Sequence, residues 1–226
     1  MITCYMCESP GTSDEHAPPQ CIFPKFDDKN SQKNLKKIKV PSCDLHNSLK
    51  SKDDEYLLYV LTTTITSNSV GQNHFYEKTI KAVKRRPKLS YELLENSVPI
   101  IINDYEKNQK FESHTLNLDK ARLDSVMEKC ARALYFYNTN CKLTGTANVI
   151  CSFVLNTQNM QLNQQIAEAF ILSEDLFKAE KAFGDYPKVF NYKILEDQKS
   201  VLIRLAFYET TKVIVEVRKP NNQFFE

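Results

Sequence analysis

The sequence predicts an α+β protein in two unequal parts: a small N-terminal module over residues 1–60, and a larger domain of mixed helices and antiparallel sheet over residues 61–226. Three observations lead there. Residues 1–50 hold several prolines, few aliphatic side chains and four of the seven cysteines. The stretch "ARLDSVMEKCARALYFY" repeats apolar residues at helical spacing. The tail, "FNYKILED" and "SVLIRLAFYETTKVIVEVRK", alternates apolar with polar residues and is rich in β-branched and aromatic side chains, the pattern of a hairpin or meander.

A segment as short and as poor in aliphatics as residues 1–50 cannot build a core alone, and a metal usually supplies the missing stability at that size. Next, "SKDDEYLLYVLTTTI" reads as a helix joining the module to the rest, with Ser51 as N-cap and acidic residues facing the positive end of the helix dipole. "EKTIKAVKRRPKLSYELL" is helical by pattern until Pro87, and six of the eleven residues from Lys78 to Lys88 are basic. That cluster, with Lys84, Arg85 and Arg86 at its centre, has two readings, a solvated helix face or a surface that follows a phosphate backbone. Leu123, Val126, Met127, Cys130, Leu134 and Tyr137 mark a core-facing helix stripe. "ANVICSFVLN" reads as a strand, and "LNQQIAEAFILSEDLFKAEKAF" as a long amphipathic helix.

Composition sets limits on function. With 42% hydrophobic and 26% charged residues the chain has an ordinary globular make-up, and no apolar run approaches the roughly 18 residues a membrane span requires. "MITCYMCESP" has neither a basic leader nor an apolar h-region, so a cytoplasmic, reducing location is expected and no membrane partner. An odd cysteine count in that setting argues for metal binding or burial over disulfides. Cys130, Cys141 and Cys151 lie in or beside apolar patterns and are expected in the core. Only four glycines occur, with no phosphate-binding glycine loop and no nucleophile elbow.

Two chelating pairs stand out, Cys4 with Cys7 and Cys43 with His46. Each spacing lets both side chains turn toward one ion, and two such knuckles supply the four donors of a closed tetrahedral zinc site. Cys21, beside Ile22 and Phe23, is assigned to packing. A closed site performs no chemistry, because protein occupies every coordination position; its task is to hold the ends of the module together.

The order C-x-x-C, acidic-His-x-x-Pro, then "VPSCDLHNSLKSKDDEY" resembles the zinc-stapled branch of the HNH (His-Me finger, ββα-metal) endonucleases, over residues 4–56. The resemblance implies a β-hairpin packed on a helix and one catalytic divalent cation distinct from the zinc. It assigns Glu15 the acidic metal ligand, His16 the general base and Asn47 the final metal-binding position. Asn47 also suits a helix cap. His46 stands where the family has cysteine, so it either completes the zinc set or faces the catalytic ion. A hard Mg²⁺ or Mn²⁺ suits the carboxylate and amide oxygens, and a histidine near neutrality can deprotonate water. Lys50, one turn past Asn47, either steadies a phosphate or is solvated. The function implied is a metal-dependent endonuclease acting on nucleic acid, DNA favoured over RNA, in phage defence or restriction. The larger domain would recognise substrate, form a homodimer or bind a partner protein. The alternative is a non-catalytic zinc-dependent module that binds nucleic acid or protein.

Overall fold

A computed structural model describes residues 2–24, 37–47, 50–64, 67–85, 87–104, 108–156 and 158–220. It is a mixed α+β fold with three antiparallel sheets among those residues. The first pairs β1 (Ser13–His16) with β2 (Lys39–Ser42), in a register that sets Ser13 opposite Ser42 and His16 opposite Lys39. A short helix, α1 (Asp44–Asn47), follows β2 directly. Then comes α2 (Lys50–Thr63), in which Tyr56 to Leu61 are all buried in an unbroken run. A helix apolar on every side belongs inside the molecule rather than on its surface.

Ser51 lies within α2 and does not precede it, so the expected N-cap is corrected. Its first turn is instead tied down from outside. Arg122 donates to the Asp53 carboxylate at 2.8 Å and to the Lys52 carbonyl at 2.7 Å, and stacks 4.4 Å from the Tyr56 ring centroid. Residue 60, the expected boundary, falls inside α2, and one cluster of buried side chains runs from Cys4 and Tyr5 through α2 into the large sheet.

Helices α3 (Ser69–His74), α4 (Ile80–Arg85) and α5 (Pro87–Leu94) follow, with a π-helical turn at Phe75–Thr79 between the first two. Pro87 opens α5, where its missing N–H costs nothing. The hairpin of β3 (Pro99–Asp104) and β4 (Gln109–His114) lacks a strong alternating signal, and Ile101 and Phe111 remain exposed on it.

The core helix α6 (Lys120–Thr139) is capped by Asp119, whose side chain accepts from the Arg122 N–H, and ends at left-handed Asn140. Leu123, Val126, Met127, Cys130 and Leu134 are buried as the periodicity predicts. Tyr137 is not: it is 38% exposed. Cys130 and Cys151 are buried, whereas Cys141 is exposed in the loop after α6, a correction to its expected core position.

The large sheet has the order β5-β9-β8-β7-β6, from β5 (Thr146–Cys151), β6 (Phe183–Tyr186), β7 (Phe190–Glu196), β8 (Ser200–Phe207) and β9 (Thr211–Arg218). Alternation sends Val201, Ile203, Leu205, Phe207, Val213, Val215 and Val217 into the core shared with α6. The opposite face meets α7 (Met160–Leu176): Glu174 bridges Arg204 at 2.8 Å and also pairs with Lys212. Only Phe170 and Ser173 of α7 are buried, and Ile171, Leu172 and Leu176 point outward. No helix among the described residues is long and apolar enough to cross a membrane.

Candidate metal centre and adjoining pockets

Both knuckles converge. The chain from residue 3 to 10 folds back on itself, with Cys4 N–H donating to the Ser9 carbonyl at 2.9 Å and Tyr5 N–H to the Pro41 carbonyl at 2.8 Å. That second bond brings the first knuckle against β2. Gly11 sits where a side chain would meet the Pro41 ring at 2.8 Å, so this close crossing requires glycine. At the other side, Cys43 and His46 lie one turn apart at the start of α1, and the spacing aims both inward.

The ligand atoms of Cys4, Cys7, Cys43 and His46 all lie within 4.8 Å of one another. His46 Nδ1 stands 3.4 Å from Cys4 Sγ, 3.6 Å from Cys7 Sγ and 3.2 Å from Cys43 Sγ, with Cys7 Sγ and Cys43 Sγ 3.8 Å apart. Zinc bonds of about 2.3 Å to sulfur and about 2.0 Å to nitrogen, at tetrahedral angles, put sulfurs about 3.8 Å from each other and about 3.5 Å from the nitrogen. These four separations are close to the corresponding edges of that tetrahedron. The group can therefore hold a metal ion, and its three soft sulfurs and one imidazole suit a structural zinc. Met6 N–H donates to Cys4 Sγ at 3.4 Å, the backbone contact that stabilises a thiolate, and Lys142 secures the knuckle from outside by donating to the Cys7 carbonyl and the Glu8 carboxylate, both at 2.8 Å. Cys21 stays out of the group; its thiol donates to the Asp54 carbonyl at 3.1 Å, and loss of water around the sulfur pushes its pKa up to about 12.

Beside this centre a small pocket is lined by Glu15, His16, Pro19, His46, Asp53, Asp54, Val126, Lys129 and Cys130. It brings Glu15 and His16 together with one zinc-type ligand. Strand alternation turns Glu15 to the same face of β1 as Ser13, and Asn47 Nδ2 donates to Ser13 Oγ at 2.7 Å. Glu15 and Ser13 thus share one face of β1, and Asn47, from α1, reaches that face at Ser13. Asn47 Oδ1 is buried with no hydrogen-bond partner, an orphaned acceptor that suits a cation or a water. Asn47 closes α1 and does not line the pocket, and residues 48 and 49, where a helix capped by it was expected, lie outside the described residues. His16 Nε2 is in close contact with the Gln20 side-chain amide.

The basic residues divide. Lys84 and Arg85 are exposed at the end of α4, while Lys78 donates to the Cys21 carbonyl at 2.9 Å and is structural. Arg86 and the side chain of Lys50 lie outside the described residues, as does most of the lysine-rich connector before β2. Asp53 and Asp54, expected at the positive end of the helix dipole and part of the acidic run in the HNH-like segment, also border the pocket. Lys129 carried no signal in the sequence. Among the described residues no second group of three or more His, Cys, Asp or Glu donors clusters as the first does. Comparison of the chain with known protein families, with curated proteins and with solved structures gives no match.

Proposed function

We propose that the chain is a metal-dependent nuclease of the HNH type, in which the Cys4, Cys7, Cys43 and His46 centre holds a short hairpin in shape and the hairpin carries the chemistry. The observation that supports this reading is the pocket beside the metal centre, which gathers Glu15 and His16 next to Lys129. Glu15 and Asn47 Oδ1 would hold a hard Mg²⁺ or Mn²⁺, which when bound supplies charge neutralisation at a phosphate and its leaving oxygen. His16 then takes the proton from the attacking water. Lys129 on the pocket wall and the exposed Lys84 and Arg85 provide salt-sensitive contacts to the sugar-phosphate chain.

The test is incubation of purified protein with plasmid, linear duplex, single-stranded DNA and RNA, each with Mg²⁺, Mn²⁺ or EDTA, beside His16→Ala. Cleavage is expected to need the added ion and to fall about 10²- to 10⁴-fold in His16→Ala, the usual worth of a general base, while fold and zinc content persist. Equal cleavage by the variant would remove His16 from that role. A second reading, a zinc-stapled module that binds nucleic acid or protein without cutting, is favoured by one observation: the sole donor cluster among the described residues is a closed one. Salt-dependent binding with no cleavage on any substrate would select it.

A further inference from the structure

His16 borders a second pocket on its other side, formed where the hairpin module meets the edge of the large sheet. Its floor is apolar: Ala17 and Pro18 are buried, as is Phe190 on β7. Phe23 and Tyr186 of edge strand β6 also line it, both half-buried. The rim is polar and exposed, with Gln20, Lys37 and Asp185. The bulged edge that carries Tyr186 depends on Gly184, whose φ of +124° and closeness to the Phe190 carbonyl exclude a side chain. An apolar slot with an aromatic lining and a few hydrogen-bonding groups at its mouth fits a flat heteroaromatic ring that carries polar groups on its edge. A cation at the same mouth fits the phosphate joined to that ring.

We propose that this slot takes one unpaired nucleobase of the strand whose phosphate lies at His16, so that the substrate is single-stranded or locally unpaired nucleic acid. A base inside a duplex keeps both its faces stacked and its edge paired, and cannot enter a recess lined by Phe23 and Tyr186. Gln20 and Asp185 place polar side chains at the mouth, where the base edge would lie, and Lys37 would meet the backbone. The inference rests on the nuclease or nucleic-acid-binding reading of the same site, and it concerns binding, so it can be tested without any cleavage.

The experiment uses the full chain, without added Mg²⁺ or Mn²⁺, and fluorescein-labelled 12-mers followed by anisotropy: random-sequence DNA, random-sequence RNA, and an abasic 12-mer with the same phosphates. At least one base-bearing strand should bind about tenfold or more tightly than the abasic strand, in line with the worth of one stacked base. Tyr186→Ala and Phe23→Ala should erase that difference and leave abasic binding unchanged, with Tyr186→Phe behaving as the parent. The two aromatic residues belong to different parts of the chain, so if one alanine variant fails to fold, judged by circular dichroism, the other decides. Equal binding of base-bearing and abasic strands by the parent protein, or a base-dependent difference that survives both alanine variants, would overturn the proposal. Cleavage accompanied by a flat abasic comparison would remove the slot and keep the nuclease; base-dependent binding without cleavage would do the reverse.

Discussion

Strands β8 and β9 and the chain around the metal centre are held by different forces. Across the strands Val201 faces Val217, Ile203 faces Val215 and Leu205 faces Val213, all fully buried, and each such side chain contributes about 1.5–3 kcal/mol by leaving water. Residues 2–24 bury only Cys4, Tyr5, Ala17 and Ile22 among residues counted to the hydrophobic core, with Pro18 and Pro19 beside them. Two-residue knuckles and a four-residue strand cannot offset their own ordering entropy with so little apolar surface. The sheet would persist without its neighbour's chemistry; the module depends on four donor atoms meeting at a point. A hairpin held by a few donor atoms can keep its polar face open, whereas a sheet held by packing must cover its faces.

Breaking the staple should have the largest effect. Cys4→Ser removes a donor that is wholly buried, and is expected to abolish metal binding and cost more than about 5 kcal/mol of local stability, because structural zinc supplies folding energy directly. Hydrogen exchange should show protection lost over residues 2–24 and 37–47 and kept over β7, β8 and β9. The reverse cut is Phe207→Ala, which empties a fully buried site whose ring lies tilted against Phe190 at a centroid distance of 5.0 Å and should cost about 3–5 kcal/mol in denaturant unfolding, while the remaining folded fraction still carries its metal.

The seam between the regions is weaker and can be tuned. Tyr208, at the β8–β9 turn, donates to the Ile22 carbonyl at 2.7 Å, so its oxygen accepts from His74 Nδ1–H at 2.9 Å. Tyr208→Phe leaves two buried groups without that partner and should cost about 1–3 kcal/mol, read as a lower denaturant midpoint with metal content unchanged. The smallest effect is that of acid on His74. Burial, with help from Lys78, holds it at about 4, below its ordinary 6.5. The folded protein therefore keeps it neutral while the unfolded chain takes up a proton. Its contribution is complete above about 6.5 and is lost as pH falls toward 4. Melting temperature should drop by a few degrees between pH 7.5 and 5 more steeply than in His74→Gln, a difference that separates it from acid release of the metal.

Much of this was legible in the chain. The alternation of residues 190–218 and the heptad-like stripe of α6 are statements about which side chains meet water, and burial enforces them. The four metal donors were legible because a two-residue knuckle has few other uses for such residues. The β3–β4 hairpin was not, since Pro99, Asn103 and the charges of "QKFES" weaken its pattern and its faces stay largely exposed. Ser51 misled because a cap is defined by where the helix starts, and Arg122 pins the first turn of α2 from a distant part of the sequence. The two pockets flanking His16 were invisible for the same reason: their walls come from elements more than a hundred residues apart, and no local spacing records that meeting.

The metal is what the N-terminal module most depends on, and stoichiometry measures it directly. Protein purified under reducing conditions without chelator should carry one zinc per chain by native mass spectrometry, with Cys4, Cys7 and Cys43 shielded from thiol reagents until chelator is added, and Cys43→Ser should carry none. A well-folded parent protein free of metal, or a disulfide joining any two of those three cysteines, would contradict that dependence.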